Sequence, residues 1–257
     1  METILTGLLV PMLGIVLGSA MVFLTGRQMS DLLQKSLLGF AAGVMVSASF
    51  WSLLLPAVEM NEGRWAVLPA AIGFLAGIGF LLFIDIVTPH IHFGTTQPEG
   101  PRTGLSRTTM LMLAITIHHL PEGMAIGVVL AGAIQDGAGI STASALVVAL
   151  GIAIQNVPEG AVVSIPMRAS GKSRTRSFLM GCLSGIAQPL GAVMVLLLAA
   201  LFVPVLPYLL AFAAGAMLYV VVEEIIPEAS SGQHTNLSTI LFAAGFVIMM
   251  MLDIVLD

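Results

Sequence analysis

Charge is scarce in this 257-residue chain: Asp, Glu, Lys and Arg make up 9% of it, against 58% hydrophobic residues and a mean hydropathy of +1.04. A soluble domain carries about 25% charged residues, so a water-soluble globule is excluded and an integral membrane protein is required. The formal net charge of −5 matters less than where the charges sit. Cysteine is almost missing. Cys182 stands alone, which excludes an intrachain disulfide and a thiolate cluster for a metal, and reads as a small packing residue. The chain has no His-Glu-x-x-His motif and no ATP-binding loop, and no Ser/Lys nucleophile lies at membrane depth. No basic residue precedes the first apolar run, so residues 3–24 are expected as a retained helix rather than a cleaved leader. Every connecting stretch is shorter than 20 residues, too short for a signalling domain. The 16 methionines read as lipid-compatible filler, not as a copper relay.

What is present in quantity is long apolar sequence. A spanning helix takes about 20 apolar residues. Cutting at polar and Pro/Gly-rich breaks predicts eight spans, at 3–24, 36–58, 66–88, 108–130, 142–166, 177–201, 206–229 and 237–256. They form one membrane domain over residues 1–257. The longest break, 89–107, holds His90, His92, Glu99 and two prolines and is expected as a flexible loop. Arg27, Lys35, Arg102, Arg107, Arg168, Lys172, Arg174 and Arg176 fall on one side of an eight-span topology; only Arg64 falls opposite. By the positive-inside rule that side is cytoplasmic. The 89–107 loop is then cytoplasmic and both termini lie outside, in a multi-pass protein of the cell membrane. The outer side carries Glu2, Glu59, Glu62, Asp136 and Asp257, a weak field that draws cations in.

Two stretches inside the apolar segments match: Ile117-His118-His119-Leu120-Pro121-Glu122-Gly123 and, 37 positions later, Ile154-Gln155-Asn156-Val157-Pro158-Glu159-Gly160. Ionisable side chains at mid-depth are costly and mark function. His118 and Glu122 are four apart, as are Gln155 and Glu159, so each pair shares a helix face. Each proline frees a backbone carbonyl one turn earlier. Two such helices side by side offer an imidazole, an amide and two carboxylates to a cation. The expected guest is a metal ion crossing a membrane.

A repeat is also visible. Phe40-Ala41-Ala42-Gly43 recurs as Phe212-Ala213-Ala214-Gly215, and Ile84-Asp85-Ile86-Val87 as Leu252-Asp253-Ile254-Val255. Spans 2–3 thus return as 7–8, five spans later, and an odd shift inverts the copy. Spans 4 and 5 form a central antiparallel pair. The expected fold is all-α and integral to the membrane, eight helices with an inverted repeat, an architecture common among secondary transporters.

The two Pro-Glu-Gly stretches resemble the fourth and fifth helices of Zrt/Irt-like (ZIP) metal transporters, in particular the bacterial GufA-like branch. Asp85…Pro89-His90-Ile91-His92, Ser184-Gly185-Ile186-Ala187-Gln188-Pro189 and Glu223-Glu224-Ile225-Ile226-Pro227-Glu228 are similar to that branch too. The resemblance runs in order from about residue 36 to 257. It implies an eight-helix homodimer that moves divalent transition metals toward the cytoplasm by alternating access. Helices 1, 4, 5 and 6 are implied to move against 2, 3, 7 and 8.

On this resemblance His118, Glu122, Gln155 and Glu159 form a first metal site. Its donors suit Zn²⁺ foremost, then Cd²⁺, Fe²⁺ or Mn²⁺, as transported substrate and with no organic cofactor. His119, Asn156 and Gln188 stand where the family often builds a second, adjacent site. Relatives commonly have Asn in place of His119 and an acid in place of Gln188, so one well-held ion is expected here. Asp85, Glu223 and Glu224 resemble the exit route. Asp253 suits either a solvated charge or a repeat partner of Asp85, and Glu228 a helix-end group. His90 and His92 suit either loose metal capture or polar filler; His234 reads as filler. The competing function is an intramembrane metalloenzyme using metal-bound water for hydrolysis. No feature suggests nucleic acid.

Overall fold

The computed structural model describes residues 2–25, 29–91, 99–135, 139–201, 205–232 and 235–256. Arg27, His92, Asp136, His234 and Asp257 lie outside the described residues. Among those described, eight helices are long and apolar enough to cross a membrane. They are α1 (Glu2–Leu24), α2 (Asp31–Glu59), α3 (Val67–Val87), α4 (Arg107–Ile134), α5 (Thr142–Ala169), α6 (Arg174–Ser184 continued by Ala187–Leu201), α7 (Leu206–Ser230) and α8 (Asn236–Leu256). Four begin at a serine cap. Ser30, Ser106, Ser141 and Ser173 accept from the backbone N–H groups of Leu33, Thr109, Ser144 and Arg176, satisfying a donor the first turn leaves open.

Three spans are not regular α-helix. In α2 and α7 a wider π-turn occupies Ser49–Leu54 and Val221–Ile225, just before Pro56 and Pro227. Each proline lacks the N–H that would continue the ladder. The residue before it reaches one further back instead, Leu55 to Phe50 O and Ile226 to Val221 O. Both π-turns begin six residues after the glycine of the matched Phe-Ala-Ala-Gly. The sixth span, expected unbroken over 177–201, starts at Arg174 and is interrupted at Gly185–Ile186. Pro189 cannot donate to Gly185 O, and Gln188 N takes that carbonyl at 3.1 Å. The Ser184 carbonyl is thereby released from the helix.

The helices are zipped in four parallel pairs by glycines four residues apart. A Cβ on Gly14 or Gly18 of α1 would fall on the carbonyls of Ala153 and Val157 in α5. Gly39 and Gly43 of α2 face Ser238 and Phe242 of α8, and Gly73 and Gly77 of α3 face Tyr208 and Phe212 of α7. Gly123 and Gly127 of α4 face Gln188 and Ala192 of α6. In a bilayer no water-driven force joins apolar helices, so close backbone approach at small residues must supply the contact. Exchanging α1–α3 for α6–α8, and α4 for α5, turns this set of pairs into itself. α4 and α5 are the most enclosed spans, and α3 and α8 the least.

Candidate metal centre

The two Pro-Glu-Gly turns place Glu122 and Glu159 opposite each other where α4 meets α5. The glycine of each motif serves packing. A Cβ on Gly123 would meet Gln188 O of α6, and one on Gly160 would meet Ile15 O of α1. Each helix is thus pressed against an outer partner while the preceding glutamate turns inward.

His119 joins the two carboxylates: one donor atom from each of His119, Glu122 and Glu159 lies within 4.8 Å of the others. All three are buried, Glu159 being the most accessible at 9%. His119 Nδ1 donates to the released Ser184 carbonyl at 3.0 Å. That leaves Nε2 as the lone-pair nitrogen, 3.4 Å from Glu159 Oε2, in the tautomer a metal needs. Glu122 is clamped by amides. Gln155 Nε2 donates to its Oε1 at 2.9 Å, and Gln188 Nε2 donates to its Oε2. Asn156 Nδ2 donates to Pro11 O at 2.9 Å and to Gln188 Oε1 at 3.0 Å. Four buried acceptors, His119 Nε2, Gln155 Oε1, Asn156 Oδ1 and Glu159 Oε1, are left without a donor. An ionised carboxylate removed from water costs on the order of several kcal/mol unless compensated. Two buried carboxylates and an imidazole nitrogen gathered with so few donors suit a cation.

The sequence placed His118 with the carboxylates in a first site and His119 in a second site adjacent to it. The coordinates turn His118 toward α7, where Nε2 bonds Glu224 Oε1. His118 nonetheless lines one pocket with Glu122 and Glu159, and that pocket continues past Glu224 to Glu228. Glu223 is exposed and off this line.

Asp85 lies apart from the centre. Its Oδ1 is 3.0 Å from His90 Nε2, and Tyr219 donates to Oδ2 at 3.2 Å. His90 is buried and donates through Nδ1 to Thr88 O at 2.8 Å. Its backbone and that of Glu99 exchange two hydrogen bonds, so the start of the 89–107 stretch is tied to its middle. Asp85, His90 and Glu99 also bring donor atoms within 4.8 Å. The hydrogen bond to Asp85 pushes the His90 imidazolium up to about 9. Sequence reasoning missed this pin because nothing in a His-x-His spacing shows that one ring is buried. Asp253, the repeat counterpart of Asp85, accepts from Ser52 Oγ at 2.6 Å. It is therefore not simply a solvated charge.

Eight membrane-length helices around a buried, donor-poor group of carboxylates and imidazole define a class: a polytopic membrane protein with an intramembrane site suited to a divalent cation. Residues 95–253 match the family model described as ZIP Zinc transporter. The chain is 38% identical to zinc transporter ZIP11 of Homo sapiens, with 92% of each chain covered. It is 37% identical to zinc transporter GufA of Myxococcus xanthus, again with 92% of each covered, and 38% identical to zinc transporter ZIPB of Bordetella bronchiseptica, with 91% of this chain and 75% of that one. The chain belongs to the ZIP family.

Proposed function

We propose that this protein carries a divalent transition metal, Zn²⁺ foremost, across the cell membrane into the cytoplasm by alternating access. The observation that carries this is the juxtaposition of Glu122, Glu159 and His119 Nε2 in a buried site with unsatisfied acceptors. Two carboxylates balance a 2+ charge, and one imidazole without thiolates holds an ion that must later leave. Gln188 and Asn156 bond each other instead of supplying a third and fourth charge, which favours one held ion over two. His118 and Glu224 receive the ion next, in a pocket that reaches Glu228. The Asp85–His90–Glu99 group stands beyond them, at the cytoplasmic end in the topology set by the basic loops. Both termini face outward, and the working unit is a homodimer, as the family resemblance implies.

Transport is preferred over intramembrane hydrolysis. The relatives compared above are all named zinc transporters. The test is flux. Purified protein in liposomes should admit Zn²⁺ or Cd²⁺ above empty vesicles, and Glu122→Ala should reduce the rate to that background. Equal flux in protein-free vesicles, or an unaltered rate in Glu122→Ala, would overturn the reading.

A further inference from the structure

The pocket that starts at the paired carboxylates ends at Glu228, in the last turn of α7 after Pro227. Glu228 is held there by α2, whose Gln34 Nε2 donates to Glu228 Oε1 at 2.5 Å. Gln34 stands one turn before Leu38, which lines the same pocket. Its chain neighbour is Lys35, only 8% exposed although lysine is almost always a surface residue. The ammonium lies beside Gly232, 3.3 Å from where a Cβ on that glycine would stand. A buried positive charge is thus packed under the segment that follows Glu228, where the start of α2 meets the end of α7.

A cation at the mouth of a cation route is unexpected if the mouth only has to attract. A carboxylate there with no counter-charge would retain an ion that must leave, because separating opposite charges at low dielectric is costly. A tethered ammonium changes the step from bare separation into exchange. The carboxylate gains a monovalent partner as the divalent one departs.

We propose that Lys35, positioned with Gln34, is the counter-charge that displaces the departing metal ion from Glu228. The proposal rests on the transport reading above and adds a residue that the metal centre does not contain. Lys35 is a positioning residue for release and touches no ion in the central site.

Zn²⁺ uptake by proteoliposomes and Zn²⁺ calorimetry in detergent test it together. Lys35→Met should lower the maximal rate about fivefold or more while leaving KM within about twofold, since removing the proposed counter-charge slows the ion's release and not its entry. Lys35→Arg should keep at least about half of the wild-type rate, because it preserves the charge. The double variant Lys35→Met/Glu228→Gln should return toward the wild-type rate, since neither trap nor displacer remains. Calorimetry should show tighter or additional Zn²⁺ binding in Lys35→Met that disappears in the double variant. A merely structural lysine would give no such rescue, and a double variant as slow as Lys35→Met would overturn the proposal. If Lys35→Met does not fold, Lys35→Gln takes its place. Absence of flux in the wild type would reject the transport reading. Calorimetry would still decide Lys35, with unchanged Zn²⁺ affinity counting against it.

Discussion

At the residue scale, the choice between two adjacent histidines decides which nitrogen meets the ion. His118 and His119 are consecutive, so they point about 100° apart around α4, and a spacing argument from Glu122 selects His118. In the function proposed above, a third helix favours His119 instead. The break at Gly185 frees the Ser184 carbonyl, which accepts a hydrogen bond from His119 Nδ1–H and orients Nε2 toward Glu159. His119→Ala is expected to weaken Zn²⁺ binding by about 10- to 100-fold. His118→Ala should change affinity far less and slow passage instead. Calorimetry beside flux separates the two, and the opposite ranking would restore His118 as the primary ligand. His90 gives a second prediction. Its pKa is raised in the folded protein to about 9, from about 6.5 when unfolded. The stabilisation is therefore complete below about pH 6.5 and lost as pH rises through 9. Hydrogen exchange at the His90 and Glu99 amides should accelerate between pH 7 and 9.5 by more than base catalysis of exchange alone accounts for, and His90→Phe should remove that excess. An acceleration no steeper than base catalysis in the unaltered protein would show that the ion pair does not hold this segment.

At the scale of elements, the glycines decide how near the helices come. Gly77 and Gly79 lie on the same helix two residues apart. A Cβ on Gly77 would strike Phe212 O, whereas one on Gly79 would meet nothing within 4 Å. Gly77→Ala should cost about 1–3 kcal/mol by overpacking, while Gly79→Ala should leave thermal unfolding in detergent unchanged. Gly123→Ala and Gly160→Ala should act like Gly77→Ala and also reduce transport, because they shift the glutamate beside them. Equal melting temperatures for Gly77→Ala and Gly79→Ala would contradict the zipper. Much of this level was legible. The eight apolar runs, the two Pro-Glu-Gly turns and the terminal aspartates of α3 and α8 are all plain in the chain. The four small-x-x-x-small pairs were also there to be read, at 14/18, 39/43, 73/77 and 123/127. They were hidden by the frequency of glycine, since spacing alone does not say which of 27 glycines touches a neighbour. The π-turns and the break in α6 were not legible. A proline announces that the ladder must change but not whether it widens, as before Pro56, or breaks, as before Pro189.

At the scale of the whole molecule, the pocket runs from the central carboxylates past Glu224 to Glu228. Its lining includes Leu38, Ile115, Val162 and Ile225. Exchanging the two halves carries these onto Leu210, Ile152, Ala125 and Leu53, every one of which is fully buried. If the halves trade conformations during transport, these mates line the opposite opening. Cysteines placed at Leu53 and Ile152, with Cys182 replaced by serine, should react with a membrane-impermeant thiol reagent added from outside during turnover. Complete protection at both positions in a protein that still transports would exclude this exchange. The family and its direction of transport entered through motif resemblance. The matched stretches were legible because each keeps its small residues and its aspartate. Which end the pocket reaches was not, because the short matched stretches are shared by both halves.

The account depends on two carboxylates sharing one guest. Crystals soaked in Zn²⁺ and measured across the zinc absorption edge address that directly, since anomalous scattering locates the ion and its ligands together. A single strong peak is predicted between Glu122, Glu159 and His119 Nε2. No peak there, or full occupancy only at sites that lack both glutamates, would contradict it.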